Sequence, residues 1–199
     1  MKLRKSIRLA GLACILAGII YALAAVVHPA GEDALSIGSG FWIPAHILGG
    51  ISAILMLFGL SGLYGNQAEA SGPLMLVGFV LAFVGTTLLA TEEFQSATVM
   101  PLIAAKAPTL LEGTSTAGAA LAFGLVFLVS FLLGYLLLGI ATVRAHVLPR
   151  WSGLVLIFGL LLSLGGSISH LVGVAAAIVF GAGLAWMGYS VWSGVATHS

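Results

Sequence analysis

LAGLACILAGIIYALAAVV, residues 9–27, decides the fold, because these 19 consecutive residues carry no charge. A helix rises ~1.5 Å per residue and the hydrocarbon core of a bilayer is about 30 Å thick, so such a run crosses it. Its basic start, MKLRKSIR, and the small-residue pattern Ala22-Leu23-Ala24 are also features of a cleaved signal peptide. The run exceeds the roughly 7–15 apolar residues of a signal core and is read as a first transmembrane helix.

Five more runs pass the same test, over about 43–64, 73–91, 116–143, 151–169 and 171–192. Backbone groups in lipid must find partners within their own segment, and no alternating barrel pattern is present. The sequence predicts an all-α, polytopic membrane protein, a six-transmembrane-helix bundle forming one integral-membrane domain over residues 1–199. Composition agrees. The chain is 60% hydrophobic and 7% charged, with a mean hydropathy of +1.18, outside the range of soluble domains. A net charge of +1 with no clustered basic face excludes nucleic acid as a partner. The single cysteine, Cys14, excludes an internal disulfide and a cysteine-based zinc site.

Orientation follows from lysine and arginine. With the N-terminus inside, Lys2, Arg4, Lys5, Arg8, Arg144 and Arg150 are cytoplasmic and only Lys106 is outside, which gives an N-in/C-in arrangement. Glu32, Asp33, Glu92, Glu93 and Glu112 then fall outside and Glu69 inside. Phe41, Trp42 and Phe94 are expected in the outer aromatic belt, and Tyr64, Trp151, Tyr189 and Trp192 in the inner one. Pro44 and Pro73 suit first-turn positions. Thr114 or Ser115, and Ser167 or Ser169, suit N-caps of the fourth and sixth helices.

Gly173, Ala177, Gly181 and Ala185 recur every fourth residue of the last helix, a stripe of small residues that lets two backbones approach closely. It serves packing within the bundle or, alternatively, a homo-oligomer or a partner membrane protein. Looser stripes are Gly11, Gly18 and Ala25 in the first helix and Gly78 and Gly85 in the third. A weak internal echo places His28 twenty residues after Arg8 and His170 twenty residues after Arg150.

Chemistry concentrates at the outer ends. The connection HPAGEDALSIGSGFWIPAH, residues 28–46, carries His28 and His46, while Glu92, Glu93 and His170 fall at the same depth by helix counting. Imidazoles with a carboxylate form a ligand set for a divalent metal, and two axial histidines one for haem. The expected ligands are His28, His46, Glu92 and His170. Glu92 is preferred to Glu93 because it continues the Gly78 and Gly85 stripe at a spacing of seven. The spacing lacks the specificity of an HExxH helix, and interfacial histidines also simply reach water. His146 and His198 lie at the cytoplasmic side, away from this layer.

His28-Pro29, Trp42-Ile43-Pro44-Ala45-His46, the phrase GLSGLYG at residues 59–65 and LPRWSG at residues 148–153 resemble small multi-pass bacterial membrane proteins of the domain-of-unknown-function type. The resemblance implies the bacterial inner membrane and carries no catalytic residues with it.

Three functions compete: a metal or haem protein at the outer face, a non-enzymatic membrane subunit acting through helix packing, and a small-solute permease. For the second, the segment from Glu92 to Ser115, with Pro101 and Pro108, reads as a short interfacial stretch and not a folded domain. For the third, the interior offers only hydroxyls such as Ser52, Thr86, Thr87, Ser130 and Ser163, expected to bond back to their own helices. No serine-nucleophile elbow and no phosphate loop occurs in the chain.

Overall fold

The computed structural model describes residues 2–111, 118–166 and 168–194. These form α1 (Lys2–Val27), α2 (Ala34–Ile37), α3 (Trp42–Thr98), α4 (Met100–Lys106), a 3₁₀ turn (Pro108–Leu110), α5 (Gly118–Ala145), α6 (Arg150–Ser163) and α7 (His170–Ser193). No strand occurs among the described residues. Four helical stretches are long and apolar enough to cross a membrane: Lys5–Val27, Trp42–Lys106, Leu121–Ala145 and His170–Ser193. The apolar α6 is shorter, 14 residues, or about 21 Å. Thr114, Ser115, Glu112, Ser167 and His198 lie outside the described residues.

α3 is not one rod. Gly72 breaks it with φ +58° and ψ −147°, a backbone that glycine adopts without strain, and Pro73 follows. Beyond that break the chain doubles back. Gly49 meets Glu93, Gly50 meets Phe94, and Tyr64 stacks on Phe79 at 4.7 Å, three pairs all centred on residues 71–72. The two limbs, 42–71 and 73–98, are therefore an antiparallel hairpin. The second limb continues through Thr98, past the expected end at 91, so Glu92 and Glu93 belong to the helix and not to a loop. α6 ends at Ser163 where a helix to 169 was expected, because 3₁₀ bonds from Leu164, Gly165 and Gly166 tighten its last turn. Ser169 is the N-cap of α7, as expected, although its hydroxyl makes no capping hydrogen bond.

The helices close into a ring in which α3 touches α1, α1 touches α7, α7 touches α6, α6 touches α5 and α5 returns to α3. Aromatic rings fill the centre: Phe180 of α7 lies 5.6 Å from Tyr21, 5.8 Å from Phe131 and 5.0 Å from Tyr135. Elsewhere the contacts are backbone on backbone. Gly18 packs on Gly181, Gly59 on Cys14, Gly134 on Ala82, Gly85 on Phe131 and Gly159 on Phe180. Large apolar side chains such as Leu9, Ile19, Phe58, Phe158 and Leu161 point outward instead. Large apolar side chains thus face outward as well as inward, where Leu60, Leu138 and Met187 are buried, a distribution lipid permits because hydrocarbon gives apolar side chains no reason to hide.

Two expectations about polar and aromatic groups change. Thr87 and Ser163 do bond back to their own helices, at 2.8 and 2.6 Å. Ser52, however, donates across to the Ala17 carbonyl of α1 at 2.9 Å, and Thr86 pairs with the Tyr135 hydroxyl of α5 at 2.9 Å. Trp42 is not a belt residue: it is buried, 3% exposed, because its indole N–H reaches a carbonyl at the end of the second limb. Phe41, Trp151, Tyr189 and Trp192 are exposed, as belt residues should be.

The small-residue stripe of α7 is occupied within the chain at its middle, where Gly181 and Ala185 face Gly18 of α1. Gly173, by contrast, has only the Gly166 Cα near, at 3.6 Å from where its Cβ would stand. Gly181→Ala should therefore destabilise the bundle by about 1–3 kcal/mol through overpacking against backbone. Gly173→Ala should leave it unchanged or gain about 0.5–1 kcal/mol from helix propensity. Thermal unfolding of the two purified variants in one detergent checks the contrast.

Candidate functional site

Three segments bring their polar groups to one place at the end of the bundle where α1 finishes and α3 begins. α1 stops at Val27, although the His28 N–H still reaches the Ala24 carbonyl at 2.9 Å. Pro29 follows. The connection is then pinned by Asp33, whose Oδ1 accepts from the Ser36 N–H at 2.7 Å and caps α2. Those hydrogen bonds hold the Asp33 carboxyl below the usual carboxylate range. Ile37 of α2 is buried. The chain re-enters the bundle with Trp42 and His46, four residues apart and so on one helix face, their rings 4.4 Å apart.

The returning limb supplies the acid. Gly49 lacks the side chain that would collide with the Glu93 carboxylate, so Glu93 lies flat against the first limb and its Oε2 stands 2.8 Å from His46 Nδ1. The Trp42 indole N–H donates to the Ser96 carbonyl at 2.9 Å and ties the two limb ends together. His28 completes the group. Its Nδ1 is 2.6 Å from the Pro29 carbonyl, its Nε2 is 3.3 Å from His46 Nε2, and its ring lies 5.2 Å from Trp42.

These partners fix the protons. A carbonyl oxygen only accepts, so His28 Nδ1 carries hydrogen, and an ionised Glu93 requires the same of His46 Nδ1. Both neutral rings then present bare Nε2 lone pairs to each other across 3.3 Å. A proton or a metal ion between the two nitrogens satisfies both lone pairs. A proton there makes His46 an imidazolium paired with Glu93 and donating to His28; a metal ion there takes both nitrogens as ligands. Burial lowers the His28 imidazole below the ordinary histidine range, which keeps that ring neutral. The two rings meet almost perpendicularly, at 82°, with centroids 4.9 Å apart. That separation is too short for rings opposed end to end, so they converge at an angle.

Of the residues expected from the sequence, His28 and His46 come together. Glu92 makes its hydrogen bond elsewhere, its Oε1 accepting from Ser96 Oγ at 3.0 Å. The Gly78 and Gly85 stripe on which it was chosen faces Leu138 and Phe131 of α5, so its continuation leads away from the first limb. His170 lines a cleft of about 250 Å³ shared with His28, Pro29 and Glu32. Among the described residues no group of three or more His, Cys, Asp or Glu side chains is placed to hold a metal ion. The sequence reading weighed Glu93 but preferred Glu92, assigned Trp42 to the aromatic belt, and did not single out Gly49. A signal for Glu93 existed: folding the chain back at Gly72-Pro73 sets it opposite the Gly49-Gly50 pair.

Gly49→Ala should fold, because the atom displaced is the free end of a flexible side chain, and it should cost His46 its carboxylate. The expected outcome is near-native thermal stability with a changed imidazole ¹⁵N shift for His46. An unchanged shift would contradict the contact.

No protein-family model, no curated protein and no solved structure matches the chain, so its site is read from the geometry of its own residues.

Proposed function

We propose that this chain is a metal-binding protein of the bacterial cytoplasmic membrane, holding a divalent transition-metal ion at its extracytoplasmic end. It crosses six times, through α1, both limbs of α3, α5, α6 and α7, with both termini cytoplasmic. Supporting the orientation are the basic residues at the start of α1 and around the α5–α6 connection. In a Cys14→Ser background, Leu35→Cys should react with a membrane-impermeant maleimide on intact cells. Protection of that cysteine until lysis would reverse the orientation.

The observation that carries the metal is the pair of Nε2 atoms 3.3 Å apart, each ring's Nδ1 being held by a carbonyl or a carboxylate. Two imidazole ligands at about 2.0–2.1 Å in tetrahedral geometry stand roughly 3.3–3.4 Å from each other. Metal-bound histidines characteristically give their other N–H to a backbone carbonyl or a carboxylate, which fixes tautomer and ring orientation. Pro29 and Glu93 meet that description. His28 also faces the cleft lined by Glu32 and His170, the nearest source of further oxygen or nitrogen donors. Imidazole nitrogens suit zinc, copper, nickel or iron. Haem fits less well, because axial histidines oppose each other across the porphyrin and these rings converge.

The packing-subunit reading loses its motive where the glycine stripes are engaged within the chain. The permease reading likewise loses the hydroxyls that already hold helices together.

The purified protein should take up one zinc or cobalt ion per chain, lost in His28→Ala and His46→Ala. Glu93→Gln should bind about 10–100-fold more weakly, since it alters only the partner of a ligand. Metal replaces the shared proton, so affinity should fall by about tenfold per unit of pH on acidification through the range where that proton is taken up. Absence of stoichiometric metal from wild type and its three variants alike would leave a proton between the imidazoles and sink the proposal.

A further inference from the structure

The opposite end of the bundle, where α1 begins and α7 finishes, holds a larger cleft of about 860 Å³. Its walls combine three kinds of group. Lys5 and Arg8 supply positive charge, Asn66 and Ser193 hydrogen-bonding atoms, and Val191 and Trp192 apolar surface. Arg8 is held in place, its Nε donating to the Trp192 carbonyl at 2.7 Å. That carbonyl belongs to the last turn of α7, where an unpaired C=O needs a donor. Asn66 is the informative residue. Its Oδ1 is buried and has no hydrogen-bond partner among the described residues.

We propose that this cleft binds the headgroup of an anionic phospholipid bearing hydroxyl groups, of the phosphatidylglycerol type. The phosphate pairs with Lys5 and Arg8, as anionic headgroups do with basic clefts between helices at the membrane surface. A headgroup hydroxyl donates to the Asn66 Oδ1, which neither a terminal phosphate monoester without a glycerol headgroup nor an ammonium-capped zwitterion with its charge already neutralised serves as well. Trp192, an exposed interfacial aromatic, and Val191 lie where the ester region and upper acyl chain of such a lipid run. The occupant is an amphiphile and not a soluble phosphate, because the cleft joins its charged wall to apolar helix surface that faces lipid. This site is independent of the metal proposed at the other end.

Native mass spectrometry of the detergent-purified full chain tests the assignment with phosphatidylglycerol, phosphatidic acid and phosphatidylcholine at equal concentration, and with free glycerol 1-phosphate as competitor. The expected order is phosphatidylglycerol first, phosphatidic acid second and phosphatidylcholine at least fivefold weaker, with no displacement by glycerol 1-phosphate. Lys5→Gln, an exposed position, should cut phosphatidylglycerol binding severalfold without changing thermal stability. Asn66→Leu should remove the preference over phosphatidic acid while leaving that over phosphatidylcholine. Equal binding of the three lipids, or indifference to both substitutions, overturns the proposal. Displacement by glycerol 1-phosphate overturns the lipid in favour of a soluble phosphate ester.

Discussion

Backbone contact between helices is the constraint on which the rest of this structure depends. Hydrocarbon solvates leucine as well as a protein interior does, so apolar burial cannot draw these helices together as it does in water. What remains is dispersion at close range and a few hydrogen bonds between helices. Gly18 against Gly181, Gly59 against Cys14 and Gly134 against Ala82 bring backbones near enough for the first. Ser52 to Ala17 and Thr86 to Tyr135 supply the second. Each contact fixes a helix axis to within a side chain's width. Helix ends are then fixed too, and the polar residues at those ends meet or miss according to packing established several turns away.

The fold was legible because its signal is long-range and coarse. Runs of some 20 apolar residues survive any detail of packing, and the helices beginning at Trp42, Arg150 and His170 start within one residue of where hydropathy puts them, while the first extends back to Lys2. Helix ends were less legible. Nothing in the apolar count says that the second limb of α3 continues past Glu92, or that α6 tightens at Ser163, since both depend on what the last carbonyls find. Ser96 finds the Trp42 indole, and this is why a tryptophan that composition assigns to the interface is buried instead.

The candidate site was legible in its histidines and not in its acid. His28 and His46 flank the connection between neighbouring helices, so proximity along the chain already hinted at proximity in space. Glu93 lies 47 residues from its partner. Choosing between adjacent glutamates required knowing which neighbour the Gly78 and Gly85 face meets, and that face meets α5. The hairpin answers the question that stripe periodicity alone left open. A glycine at 49 is conspicuous only once a carboxylate is known to lie over it.

Holding two bare imidazole nitrogens at 3.3 Å in a half-buried place is unfavourable unless something positive lies between them. The surroundings are arranged for that charge: the Glu93 carboxylate on one side, the Trp42 ring against both imidazoles, and the aqueous cleft beside His28. Water cannot satisfy the His46 ring separately, since that residue is 6% exposed. Instead, three segments are made to converge, one glycine is kept bare for a carboxylate, and the tautomers of both rings are fixed from behind. The lowered proton affinity of His28 keeps its Nε2 lone pair free for whatever occupies the gap.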